Sequence, residues 1–158
     1  MNALLGKLGC ILLRAPWALV QAADPAEAEN VPALGAAVNL IEARDGWIRA
    51  VPPQAPVRAG YIRLHNPGPH EIVIDAVRSD AFGAIEIHEM HEVEGVMRMR
   101  RVPSLTLAPQ QNVELAPGGL HLMLFRPTAP LQEGEKARLV FSGPSGDVLE
   151  ADLVVRQP

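Results

Sequence analysis

The sequence has one cysteine, few basic residues and no long apolar run, and each shortage excludes a class of protein. Its only cysteine, Cys10, lies in residues 1–22, a segment that the pattern described below predicts to be removed. A mature chain without thiols has no disulfide framework, no thiol reductase chemistry and no thiolate for a blue-copper site. We therefore exclude these three classes.

Basic residues are scarce and scattered. The formal net charge is −4, and Lys7 and Arg14 are the only charged residues in segment 1–22, so the remainder carries 12 basic and 18 acidic residues. An acidic chain without a basic cluster gains little from displacing counterions on nucleic acid or from attraction to anionic lipid. We expect neither nucleic acid nor a lipid surface as a partner.

Apolar runs are short. None approaches the ~20 residues that a transmembrane helix needs, so we expect no integral membrane span. Lys7, the apolar stretch Leu8–Val20 and the small residue Ala22 predict a signal peptide over residues 1–22 and export of the mature chain. Arg14 interrupts the apolar stretch, which leaves a buried or disordered amino-terminal arm as the alternative.

The rest of the chain predicts one β-rich domain. Residues 23–36 are rich in alanine, acid and proline without a stable period, which indicates a flexible leader before a domain over residues 37–158. The 15 prolines and 13 glycines interrupt helical patterns, and short alternating runs recur between turns. We predict an all-β, Greek-key β-sandwich with strands at Val38–Ala43, Trp47–Val51, Arg58–His65, Glu71–Arg78, Ile85–Met90, Val96–Val102, Asn112–Leu115, Leu120–Phe125, Lys136–Phe141 and Val148–Arg156.

Alternation places several histidines and methionines away from the predicted core. One strand shows the period of two that a single buried face requires, on Leu120, Leu122 and Leu124. The residues between them, His121 and Met123, therefore point to the opposite face. The same alternation of core-facing and outward-facing residues in the strand Ile85–Met90 places three more side chains away from the core, namely Glu86, His88 and Met90.

Every methionine except the initiator lies between residues 90 and 123, close to three of the five histidines. Methionine that merely fills a core would be scattered over the strands. Thioether sulfur and imidazole nitrogen together suit the soft ion Cu(I), whereas Mg²⁺ and Ca²⁺ require oxygen and Zn²⁺ seldom accepts thioethers. The cluster therefore indicates copper binding by some of its members, which are Met90, Met97, Met99, Met123, His88, His91 and His121.

The spacing within this cluster is specific. His88 is followed after ten residues by Met99, and after a further twenty-one residues by His121 and Met123 with one residue between them. A hairpin across Val93–Gly95 can bring Met99 back towards His88. The spacing, with four further stretches in the same order, resembles the periplasmic copper chaperones written PCu(A)C, and these stretches are Asp45–Ala50, Ile87–Met90, Gly95–Arg100 and Leu115–Leu124.

The resemblance covers about Asn39 to Arg156 and implies a cupredoxin-like sandwich that binds one Cu(I) in the periplasm. It implies that the metal ligands are His88, Met99, His121 and Met123. Met90 matches an optional methionine of the family. Met97 is a neighbour or a substitute ligand, and we expect it to pack beside the site. The sequence ends without the His- and Met-rich tail of some members, so we expect no second copper site.

Other residues have simpler interpretations. We expect His91 to be exposed beside a turn, and His65 and His70 to lie in a loop. Trp47 is expected in the core, with Tyr61 a weaker candidate for the same role. A basic group either docks an acidic partner or forms a solvated strand face, and we favour the solvated face for Arg98, Arg100 and Arg101.

The expected function is carriage of copper by a monomer that is not an enzyme. Two imidazoles and two thioethers would hold Cu(I) until the ligands of a partner replace them one at a time. The resemblance implies delivery to cytochrome oxidase, at its CuA centre, or to another copper chaperone. The alternatives are a copper buffer or resistance protein without directed delivery, a redox copper protein, and a structural β-sandwich.

Overall fold

The structure, a computed structural model, describes residues 40–158, so the predicted signal peptide and leader lie outside the described residues. Within this range every regular element is a strand, which confirms the prediction of an all-β chain. No helix in residues 40–158 is long and apolar enough to cross a membrane. The strands are β1 (Glu42–Arg49), β2 (Val57–His65), β3 (Ile72–Ile74), β4 (Ala76–Arg78), β5 (Phe82–Val93), β6 (Val96–Val102), β7 (Leu105–Leu107), β8 (Asn112–Leu115), β9 (Leu120–Pro127), β10 (Lys136–Gly143) and β11 (Gly146–Arg156).

Nine of these strands form one sheet that closes on itself. Its order is β1-β11-β10-β4-β5-β9-β2-β8, β6 pairs with β5, and a further pairing of β1 with β2 joins the two sides. β3 and β7 form a separate two-stranded sheet. β1 runs parallel to β11, whereas every other pairing among the described strands is antiparallel. β1 and β11 are the first and last strands, and no hairpin connects them to impose antiparallel pairing.

The hydrophobic core lies inside the closed sheet. Leu122 and Leu124 of β9 are fully buried, and Ile87 of the neighbouring strand β5 is 6% exposed. Burial of each such side chain contributes about 1.5–3 kcal/mol to folding. The residues between them point outward, as the period of two in the sequence predicts.

Apart from shifts of a few residues at strand ends, the predicted strand pattern differs from the structure at three places. The gap between the predicted strands Val38–Ala43 and Trp47–Val51 is a β-bulge inside β1, where Asp45 has a φ of 54° and the register with β2 shifts before Trp47. The predicted strand Glu71–Arg78 divides at Asp75, because β3 pairs with β7 while β4 pairs with β10 and β5. The sequence does not predict β7, since three residues are too few to show a period.

Trp47 and Tyr61 are paired on one face of the sheet and differ in how deeply they are buried. Tyr61 is buried, whereas Trp47 is only half-buried. The two ring centres are 4.5 Å apart, and the guanidinium of Arg156 lies 4.4 Å from the centre of the Trp47 ring. The expectation of a core Trp47 is therefore wrong, because its ring lies outside the closed sheet between a tyrosine and an arginine that stacks on it.

Gly143 provides a test of how closely β3 approaches β10. A Cβ at this position would collide with the backbone carbonyl oxygen of Val73. We expect Gly143→Ala to lower the free energy of unfolding by about 1–3 kcal/mol, measured by urea denaturation, because backbone atoms cannot move aside cheaply. Gly119→Ala is the control, since its Cβ would meet only the Ala116 carbonyl oxygen at 3.9 Å. Equal losses in the two variants would contradict this packing.

Candidate metal centre

The pairing of β5 with β9 places two histidines side by side. His88 lies directly opposite His121, one position beyond the pair formed by Ile87 and Leu122. Because paired residues share a face and neighbours alternate, the histidines lie on the outer face while Ile87 and Leu122 point into the core. The ring centres are 6.2 Å apart. One metal ion with bonds of about 2 Å to nitrogen can therefore lie between them.

The β5–β6 hairpin brings Met99 to the same face. Its two-residue turn, at the predicted position, consists of Glu94 and Gly95 with φ values of 54° and 79°. Met99 lies directly opposite Met90, which is two positions along β5 from His88. Met99, Met90 and His88 therefore share a face.

Met123 completes the group from β9. It lies two positions from His121, opposite Glu86 of β5 on one side and Ala59 of β2 on the other. Met97 lies opposite Glu92 and shares the parity of Met99. The outer face of β9, β5 and β6 thus carries every residue that the sequence singled out for the site, and we define the site face by these six residues, His88, Met90, Met97, Met99, His121 and Met123.

Burial across the site face is uneven. His121 is 5% exposed and the His88 side chain 15%, whereas Met99 and Met97 are 48% and 51% exposed. His121 is buried although its parity puts it off the main core, and its ring also makes a hydrogen bond to the Gly119 carbonyl oxygen at 2.9 Å. Met97 lies on the same face as Met99, and its packing beside a bound metal ion stays a prediction.

Each imidazole has one nitrogen held by a protein acceptor. The Glu86 carboxylate lies 2.9 Å from Nε2 of His88 and can only accept, so in the neutral ring the proton is on Nε2. The lone pair is then on Nδ1, which is buried without a hydrogen-bond partner in the described part of the chain. In His121 the Nδ1–H donates to Gly119, which leaves the lone pair on Nε2. Each ring therefore keeps one nitrogen suited to a metal ion.

Glu86 connects His88 to the basic strand β6. Its second carboxylate oxygen lies 3.7 Å from Nη1 of Arg101. The hydrogen bond from His88, and then the positive charge of Arg101, hold the pKa of Glu86 below its usual range. The alternation in the sequence places Glu86 on the correct face, but it gives no indication of this contact.

The donor types on the site face restrict which metal fits. Within residues 40–158 no group of three or more His, Cys, Asp or Glu side chains is placed to hold a metal ion. A centre of nitrogen and oxygen donors alone, as Zn²⁺, Mg²⁺ and Ca²⁺ prefer, is therefore absent from this part of the chain. Two imidazole nitrogens completed by thioether sulfur are available instead, and this donor set suits a soft ion.

The remaining histidines lie away from the site face. His91 points to the opposite side of β5 from His88 and is half-buried, so its expected exposure is wrong. His65 ends β2 and is half-buried rather than lying in a loop, whereas His70 is exposed in the following loop as expected. The arginines of β6 are exposed, as expected of a solvated strand, and these are Arg98, Arg100 and Arg101.

Comparison with known proteins identifies the family. The family model described as LpqE-like matches residues 41–155. The chain therefore belongs to the LpqE-like family, which is the PCu(A)C family. Among curated proteins, the uncharacterized protein RP573 of Rickettsia prowazekii is 31% identical over 84 residues, which are 52% of this chain and 46% of that protein. The match thus spans about half the length of this relative.

Solved structures share the fold. The copper-bound PCuAC domain from PmoF2 has a TM-score of 0.62 at 22% identity, over 78% of this chain and 97% of that domain. The solution structure of apo-DR1885 from Deinococcus radiodurans has a TM-score of 0.59 at 22% identity, over 100% of this chain and 97% of that protein. The TM-scores establish a common fold. Because the identities are low, the metal donors of this chain are judged from its own residues.

The register of the hairpin can be tested without a metal. In a chain carrying Cys10→Ser, we expect Met90→Cys with Met99→Cys to form a disulfide, because directly paired residues have Cβ atoms about 4.5–5.5 Å apart. The control combines Met90→Cys with Met97→Cys, whose diagonal positions are about 7–8 Å apart. Mass spectrometry after mild oxidation of dilute protein measures both, and equal cross-linking would contradict the register.

Proposed function

We propose that the protein is an exported copper chaperone that holds one Cu(I) with His88, Met99, His121 and Met123 and hands it to another protein. The observation that carries the proposal is that these four donors lie on one sheet face, where each imidazole keeps a lone-pair nitrogen. Two nitrogen and two thioether donors match the preference of Cu(I) over harder ions.

The names of two solved relatives state that they contain copper. One is the copper-bound PCuAC domain from PmoF2, and another is CuI-DR1885 from Deinococcus radiodurans. Shared family membership alone would not transfer a ligand to this chain. Together with the soft donor set of the site face, it supports copper as the cargo.

Exposure indicates how the cargo leaves. Met99 is 48% exposed on the hairpin, whereas His121 is 5% exposed and hydrogen-bonded to Gly119. A ligand from a recipient can therefore approach beside Met99 and replace a thioether before it replaces an imidazole. All four donors are neutral when bound, so no thiolate charge opposes release of the ion.

The proposal extends to location and partner. A signal peptide over residues 1–22 would direct the mature chain, with a flexible leader over residues 23–36 and one domain over residues 37–158, to the periplasm. There it would act as a monomer without catalysis and supply cytochrome oxidase, at its CuA centre, or another copper chaperone. The closed all-β sheet suits a Greek-key, cupredoxin-like arrangement without the thiolate of a blue-copper protein.

The ligand set predicts which methionines matter. We expect Met99→Leu and Met123→Leu each to weaken Cu(I) binding by at least about tenfold, or about 1.4 kcal/mol. The metal-free variants should lose less than about 1.5 kcal/mol of stability, because leucine approximates the volume of methionine. Anaerobic titration against a competing chelator measures the affinity. Met97→Leu, on the same strand and equally exposed, should keep it, and an equal loss in that control would contradict the ligand set.

Directed delivery is tested by copper transfer. The Cu(I)-loaded protein is mixed anaerobically with a purified CuA domain of a bacterial cytochrome oxidase, and copper on each protein is measured after rapid separation. We expect faster transfer than from a small-molecule Cu(I) complex of equal affinity, because a chaperone presents the ion to its partner. Equal or slower transfer would favour the alternative, a copper buffer without a defined recipient.

A further inference from the structure

We propose that Glu86, held by Arg101, is a positioning residue that makes His88 bind copper through Nδ1. The inference rests on the copper-binding function proposed above. It gives a role to two side chains that are outside the ligand set, and it assigns different ligand nitrogens to the two histidines.

The register of two strands, β5 and β6, brings the three side chains together. Glu86 lies two positions before His88 on β5, so both point to the site face, and Arg101 of β6 lies directly opposite His88. One carboxylate oxygen of Glu86 is 2.9 Å from Nε2 of His88, and the other is 3.7 Å from Nη1 of Arg101. The carboxylate is thus held between the ligand ring and a cation.

This contact decides which nitrogen of His88 is available. A neutral imidazole has one donor and one acceptor nitrogen, and an acceptor beside one of them fixes the proton there. Glu86 fixes the proton of His88 on Nε2, so the lone pair is on Nδ1. That nitrogen is buried and has no hydrogen-bond partner in residues 40–158. A buried acceptor without a partner is costly, and a bound metal ion would satisfy it.

His121 has the opposite arrangement. Its Nδ1–H donates to the Gly119 carbonyl oxygen at 2.9 Å, so its lone pair is on Nε2. The hydrogen-bond acceptor is a backbone carbonyl for His121 and a side-chain carboxylate for His88. Side-chain substitution can therefore alter the tautomer of His88 while that of His121 stays fixed, which provides an internal reference.

The chemistry of the carboxylate separates this role from direct ligation. Oxygen is a hard donor that Cu(I) disfavours relative to imidazole and thioether. Both oxygens of Glu86 are in addition engaged, one by His88 and one by Arg101. Hydrogen-bonded partners of ligating histidines raise their basicity and hold the ring orientation, and their loss typically costs about 10–100-fold in metal affinity.

The same hairpin contains a matched control. Glu89 accepts hydrogen bonds from Arg100 at 2.8 and 2.9 Å, across the same two strands, but on the face opposite His88. Glu89→Ala removes a comparable ion pair from the same hairpin without touching the site face. It therefore separates loss of hairpin stability from loss of ligand positioning.

The test reads the tautomer of His88 directly. Long-range ¹H–¹⁵N spectra of the full chain, metal-free and with one equivalent of Cu(I), report which ring nitrogen carries the proton and which one shifts on binding. We expect Nε2–H in metal-free His88 and a shift at Nδ1 with Cu(I). Glu86→Ala should give mixed tautomers and about 10–100-fold weaker Cu(I) binding. Glu86→Gln offers one acceptor where two donors require one each, so its NH2 group competes for His88 and the tautomer should lie between those of the wild type and Glu86→Ala. Glu89→Ala should change neither the tautomer nor the affinity.

Arg101 is tested through Glu86. Arg101→Ala should weaken Cu(I) binding by less than Glu86→Ala does. The double variant should weaken it by no more than Glu86→Ala alone, because the effects of two substitutions do not add when one residue acts through the other. Additive losses would show that Arg101 does not act through Glu86.

Two outcomes would overturn the positioning role of Glu86. One is an unchanged His88 tautomer in Glu86→Ala, and the other is a loss of Cu(I) affinity in Glu89→Ala as large as in Glu86→Ala. Failure of the wild-type protein to bind Cu(I) would instead reject the proposed function, and the metal-free tautomer would still be measured separately.

Discussion

The antiparallel register of β5 with β9 is the constraint on which the rest of the site depends. It pairs Ile87 with Leu122 inside the closed sheet and His88 with His121 outside it. A shift of one residue on either strand would direct its histidine into the apolar core and a core side chain to the surface. The free energy of burying these apolar residues therefore also holds the two imidazoles opposite each other.

The two ligand types are supported in different ways. The imidazoles are covered and each is fixed by an acceptor, Glu86 for His88 and the Gly119 carbonyl for His121. Met99 lies half exposed on a hairpin whose outer strand, among the strands of residues 40–158, pairs with β5 alone. Fixed nitrogen donors favour retention of an ion, whereas an accessible thioether on a peripheral strand favours exchange. A carrier requires both properties.

Much of this arrangement can be predicted from the sequence, because it depends on alternation and on one short turn. The leucines of β9 fix the face of His121 and Met123, and the turn at Val93–Gly95 returns Met99 towards His88. The alternation of side chains along a strand, however, does not indicate how deeply a side chain on the outer face is buried. It therefore does not predict that His121 is buried and Met97 half exposed, since both depend on which strands lie beside them.

The contacts that tune the site are least visible in the sequence. Glu86 meets Arg101 only because a hairpin and a cross-strand register bring together residues from two strands. The parallel pairing of β1 with β11, and the stacking of Arg156 on Trp47 that accompanies it, likewise join distant parts of the chain. Local periodicity cannot supply such contacts, because they depend on how the closed sheet is completed.

The environment of Cu(I) in the full chain, measured by X-ray absorption at the copper edge, tests the central claim most directly. With one equivalent of Cu(I) we expect two nitrogen and two sulfur neighbours, from His88, His121, Met99 and Met123, and one sulfur fewer in Met99→Leu. Copper surrounded by nitrogen and oxygen alone, or a sulfur count unchanged by Met99→Leu and by Met123→Leu, would contradict it.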